Sequence, residues 1–129
     1  MRNLLIIKKD NTNLKTRILG IDPGSRIAGY AVIDSFKGKM DLIEYGILKI
    51  SADSDAEKLY KLSELLVRII QKFEPDTMAV EKVFFGKNAV SALKLGQVRG
   101  VILLLARQFS VAQFDYSPNE IKKSISGMG

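Results

Sequence analysis

Residues 17–34 read RILGIDPGSRIAGYAVID, and no other stretch restricts the fold so tightly. An apolar run ends on a carboxylate, Asp22; Pro23-Gly24-Ser25 then supply turn chemistry, and a second apolar run follows. Proline pre-sets the backbone of a turn and glycine tolerates its unusual angles, so the pattern predicts strand, tight turn, strand. Asp-Pro is a common turn start, which would account for Asp22 by itself. A second acid placed in the same way changes that reading. Glu81 closes the short run Asp76-Thr77-Met78-Ala79-Val80, and a carboxylate at the end of a buried strand is costly unless it holds something.

The rest of the chain alternates strand and helix signals. Strand one is Arg17 to Asp22. Strand two, Ala28 to Asp34, meets strand three, Met40 to Ile50, through a Phe36-Lys37-Gly38-Lys39 turn, which predicts antiparallel hairpins. Ser54 and Glu57 have capping-box spacing, and Leu59, Leu62, Leu65, Leu66, Ile69, Ile70 and Phe73 recur at helical spacing until Glu74-Pro75. Strand four, Thr77 to Val80, precedes Glu81. Asn88 caps a long helix to about Arg107, strand five is Val111 to Asp115, and Ser117-Pro118-Asn119-Glu120 opens a last helix that Gly127-Met128-Gly129 stops.

Three antiparallel strands followed by helix, strand, helix and strand give an α/β domain. If strands one and four lie side by side and parallel, their carboxyl ends bring Asp22 and Glu81 together at the crevice where open α/β sheets place their sites. Two carboxylates in contact repel unless a cation lies between them. With 129 residues there is room for one domain. The chain has no Cys and no His, which removes the thiolate and imidazole ligands of zinc and leaves oxygen donors that suit Mg²⁺ or Mn²⁺.

The net charge of +6 favours an anionic partner such as nucleic acid. Half of that excess sits in residues 1–16, where Arg2, Lys8, Lys9 and Lys15 outnumber Asp10. The apolar run Leu4 to Ile7 is too short for a signal peptide, and Val101 to Ala106 is too short to span a bilayer. A cytoplasmic protein with no membrane association is expected.

Two blocks, GIDPGSRIAGYAVID and EKVFFGKNAVSALKLGQVRG, make the chain from Arg17 to Gly129 resemble the RuvC family of Holliday junction resolvases. The resemblance implies an RNase H-like fold, with a five-stranded mixed sheet whose first three strands are antiparallel, flanked by helices. It also implies an endodeoxyribonuclease of DNA recombination and repair that resolves four-way junction DNA by two-metal hydrolysis of phosphodiester bonds. Asp22 and Glu81 would be both catalytic residues and metal ligands, with Asp22 bridging the ions. Phe84 takes the base-stacking position and Lys122 a phosphate contact, and a branch-migration helicase becomes a partner.

Further DNA-binding candidates come from position and chemistry. Phe85 and Lys87 share the loop after Glu81, Asn88, Lys94, Arg99 and Lys123 are possible phosphate contacts, and Ser25 offers a hydroxyl close to Asp22. Gly96 and Gly100, four residues apart, clear one helix face for another backbone, either within the monomer or from a second copy. In the resembled family this helix lies at the homodimer interface.

The family completes its site with further acids on a helix beyond the glycine-rich stretch, whereas this sequence ends at Gly129. The expectation is a resolvase domain over residues 17–129, truncated at its C-terminus, behind an N-terminal extension of residues 1–16. Cleavage is then impaired, Asp115 and Glu120 being the nearest substitute acids, and the alternative is a catalytically inactive junction-DNA-binding module of the same fold. Nucleotide-binding domains of the actin and sugar-kinase type carry similar GIDxG turns, but they need a second phosphate loop and a second domain that this length does not hold.

Overall fold

The computed structural model describes residues 14–24, 27–82 and 88–116. Among these described residues five strands and two helices follow in order: β1 Thr16–Asp22, β2 Ile27–Phe36, β3 Lys39–Lys49, α1 Asp55–Phe73, β4 Thr77–Glu81, α2 Ala89–Gln108 and β5 Ala112–Tyr116. They form one sheet in the order β3-β2-β1-β4-β5. The β1–β2 and β2–β3 pairs are antiparallel, and the β1–β4 and β4–β5 pairs are parallel. This is the mixed sheet expected from the sequence.

The second hairpin is longer than its sequence pattern indicates. Phe36 and Lys39 pair as its last rung, so the turn shrinks to Lys37 and Gly38. Their φ values, 49° and 78°, are both positive, as a two-residue turn matching the right-handed strand twist requires. A register shift after Val32 leaves Ile43 as the extra residue of a bulge.

Alternation along the strands divides the sheet into two faces. Leu19, Ile21, Val32, Met78 and Val80 project to one of them, where Leu62, Leu66, Ile69 and Ile70 of α1 and Val98, Ile102, Leu105 and Ala106 of α2 bury them. Each such side chain contributes about 1.5–3 kcal/mol. By length and composition α2 could cross a membrane, but here its buried residues belong to this core. The opposite face carries a smaller cluster of Ile18, Ala79 and Tyr116 with Met40 and Phe114, while Leu42, Tyr45 and Ile47 of β3 stand exposed on it.

Helix α1 starts where Ser54 Oγ accepts from the Glu57 N–H at 3.2 Å. It ends at Glu74, which adopts φ 48° and donates its N–H to the Ile70 carbonyl. Pro75 then prevents continuation. Arg17 fastens this end of the helix to the sheet: its Nη1 donates to the Phe73 carbonyl at 3.0 Å, and its Nε and Nη2 donate to the two oxygens of Asp34 at 2.7 and 2.9 Å. Asp34 is 2% exposed and also receives Lys15 at 2.9 Å.

Candidate metal centre

The parallel register of β1 and β4 pairs Ile21 with Val80, so the next residues, Asp22 and Glu81, end neighbouring strands side by side. Both lie on the face away from the two helices, by alternation from Ile18 and Ala79. The topology therefore joins two acids that are far apart in sequence. Asp22 is exposed and Glu81 half-buried. Burial, and then hydrogen bonding and repulsion from the Asp22 carboxylate, push the Glu81 carboxyl up to about 7. An acid held that high takes up a proton, or a cation in its place.

β5 supplies the wall of this corner. Tyr116 pairs with Glu81 across the ladder, and its carbonyl accepts from the Lys82 N–H at 2.7 Å, which brackets Glu81 between backbone hydrogen bonds. Tyr116 is 4% exposed, and burial, with the Glu81 and Asp22 charges adding, keeps the phenol protonated. Sequence reading missed Tyr116, and no local signal marks it; only the β4–β5 register brings it to the acids. On the other side of Asp22 stands Gly29 of β2, its cross-strand partner.

An exposed carboxylate beside a half-buried one, both with oxygen donors, fits a hard divalent cation that keeps part of its water and takes further oxygens from a phosphate. Among the described residues no third acid joins them. Asp115, a possible substitute ligand, is engaged elsewhere: both of its oxygens accept from Arg99 Nη2 at 2.6 Å, and Oδ1 also accepts from Gln113. Burial works against ionisation of Asp115, but these hydrogen bonds hold it below its ordinary value. Arg99, a candidate phosphate contact, gives its Nη2 to Asp115.

Asn88 caps α2, its Oδ1 accepting from the N–H groups of Val90 and Ser91, so the amide nitrogen is the donor left for other contacts. Gly96 and Gly100 are exposed, and a Cβ added at either would meet nothing within 4 Å. Tight packing within the monomer therefore does not explain them among the described residues. Ser25, Phe84, Phe85, Lys87, Glu120, Lys122 and Lys123 lie outside the described residues.

The Glu81 shift sets a pH signature. A carboxyl raised on folding stabilises the fold fully below its ordinary value of 4.5, and that contribution is lost as pH rises through about 7. In EDTA the Tm is expected to fall across that window. A divalent cation replaces the proton, so the Tm gain from Mg²⁺ is expected to be larger at about pH 8 than at about pH 5. Equal gains at both values in a thermal-shift titration would contradict this reading of the pair.

The model of a family described as crossover junction endodeoxyribonuclease RuvC matches residues 18–129. A curated relative from Hydrogenovibrio crunogenus, a crossover junction endodeoxyribonuclease RuvC, is 42% identical over 113 residues, which are 88% of this chain and 66% of the relative. One of the same description from Methylococcus capsulatus is 41% identical over 114 residues, 88% of this chain and 68% of the relative. The chain thus spans about two thirds of the length of these relatives. Among solved structures, Thermus thermophilus RuvC in complex with a Holliday junction substrate superposes with a TM-score of 0.75 at 26% identity, covering 84% of this chain and 68% of that one.

Proposed function

The chain belongs to the RuvC family of crossover junction endodeoxyribonucleases, and from that premise we propose that it binds four-way junction DNA in the cytoplasm and hydrolyses its phosphodiester bonds at Asp22 and Glu81. The meeting of these two acids at the ends of β1 and β4 carries the proposal. Their donor set selects Mg²⁺ or Mn²⁺, which when bound polarises the phosphoryl oxygen and lowers the pKa of bound water.

Asp22, exposed at the strand end, would hold the ion, and the phosphate would be bound through that ion. The Glu81 backbone is held by the β4–β5 ladder opposite Tyr116, which would limit where its carboxylate can stand before substrate arrives. Phe84 and Phe85, with Lys87, Lys122 and Lys123, the Ser25 hydroxyl and the Asn88 amide, are assigned to the DNA. Aromatics there would stack on unpaired bases, worth about 1–3 kcal/mol per base, and each lysine on a phosphate adds nearly one unit to the salt slope.

A second reading is favoured by one observation, the count of two acids at the site among the described residues. In it the chain binds junctions without cutting them. Incubating a synthetic four-way junction with the chain and Mg²⁺ or Mn²⁺, and following retention and nicking together, separates the two. Nicking supports the nuclease, retention without nicking supports the binding module, and neither would sink both.

The proposal includes a two-fold homodimer through α2. Val90, Leu93 and Leu104 are exposed along this helix beside the open glycines Gly96 and Gly100. A second copy would cover these apolar residues and present paired sites to paired strands. Gly100→Arg, which would bury an unpaired charge, is expected to weaken such a dimer about a hundredfold or more while leaving the monomer folded. Light scattering across a concentration series reads this, and a wild-type chain monomeric throughout would refute it.

A further inference from the structure

The glycines of this sheet have different reasons for being glycine. Gly38 has φ 78° in the hairpin turn, where a side chain is strained. Gly46 lies under the ring of Tyr30, and a Cβ there would meet ring Cε1 at 2.8 Å. Gly29 has neither reason. Its φ lies outside the glycine-favouring region, and among the described residues the one neighbour that an added Cβ would meet is Asp22 Cβ, at an ordinary contact distance of 3.8 Å. Gly20 shares this freedom, but it lies two residues back from Asp22.

Strand physics disfavours glycine at position 29. It sits inside β2, where glycine loses more conformational freedom than any other residue and packs nothing, and where β-branched residues are preferred. Among the described residues the protein leaves room for a Cβ at this position. What a larger side chain would take up is the space next to the Asp22 carboxylate, since the two residues pair directly across β1 and β2 on the same face.

We propose that Gly29 is a specificity-determining residue of this centre, keeping clear the volume beside Asp22 in which a cation-bound DNA phosphate sits. This rests on the function proposed above and adds a residue that contributes by having no side chain. A side chain at position 29 would stand against the phosphate, whereas among the described residues its Cβ meets only an ordinary contact, so little cost to the fold is expected.

The test compares wild type, Gly29→Ala and Gly29→Val by thermal unfolding and by affinity for a four-way junction, in EDTA and in Ca²⁺. Ca²⁺ serves as a hard oxygen-seeking cation for a binding measurement. Both variants are expected to unfold at or above the wild-type Tm. The metal-dependent gain in junction affinity should fall about tenfold or more with valine and less with alanine, while affinity in EDTA stays at the wild-type value.

A valine variant that keeps the full metal-dependent gain would overturn the inference. So would loss of affinity accompanied by a lowered Tm in the alanine variant, because the glycine would then be structural. If wild type shows no metal-dependent gain, the proposed function fails and the role of Gly29 fails with it.

Discussion

Asp22→Asn is expected to fold normally, lose its response to Mg²⁺, and cut junction DNA about a thousandfold more slowly than wild type. Asp22 is an exposed residue at the end of β1 and covers no core, so its carboxylate serves the site more than the fold. An amide of the same size keeps the β1–β2 ladder but removes the charge that would face a bound cation. It also removes repulsion from Glu81. The Glu81 carboxyl should then ionise more readily, with burial as the remaining cause of its shift. In EDTA at neutral pH the variant should therefore be at least as stable as wild type, although inactive.

Glu81→Gln should show the same loss, and the double variant little more than either alone, because two ligands of one ion act as a unit. Quantified nicking of a labelled junction, beside Mg²⁺ titrations of the Tm, reads both effects. Metal-dependent cutting by Asp22→Asn at the wild-type rate would show that the chemistry lies elsewhere.

The largest expected effect on stability is far from that site. Asp34→Ala should destabilise the fold by about 1.5–3 kcal/mol, because it leaves the part-buried Arg17 guanidinium without its bidentate partner. Against a typical total of about 5–15 kcal/mol this is a large fraction. Arg17 joins β1, β2 and the last turn of α1, and its backbone exchanges hydrogen bonds with Asp76 at the start of β4. Loss of the ion pair should therefore loosen both the helix end and the entry into β4.

The pH dependence of this network has the opposite sense to that of Glu81. Hydrogen bonds from Arg17 hold the Asp34 carboxyl at about 2, against 3.8 ordinarily. Its contribution of about 2 kcal/mol is present above about pH 4 and is lost as pH falls towards 2. Denaturant unfolding at neutral pH and at pH 3 should show the wild type losing part of this stability while Asp34→Ala loses none of it. A variant within about 0.5 kcal/mol of wild type at neutral pH would refute the assignment.

Much of this architecture is legible in the sequence because it depends on local chemistry. Ser54, Glu74-Pro75 and Asn88 mark helix ends by their caps, and alternation in the stretches around Leu19 and Val32 marks strands. Asp22 and Glu81 were legible as a pair because each ends an apolar strand, and parallel neighbours bring such ends together. The features that escaped depend on register. Asp34 meets Arg17, Tyr116 meets Glu81, and Arg99 takes up Asp115 across 17, 35 and 16 positions of sequence, and nothing near any of these residues names its partner. Gly29 is a further case. A glycine in a strand looks like a weak point until the cross-strand position of Asp22 is known.

The central claim is that Asp22 and Glu81 together hold a divalent ion. Anomalous scattering from crystals soaked in Mn²⁺ tests this directly, since it locates the metal without relying on turnover. The account predicts a peak within about 2.5 Å of carboxylate oxygens from both residues in wild type and its loss in Asp22→Asn. A peak away from this corner, or one that persists unchanged in the variant, would contradict it.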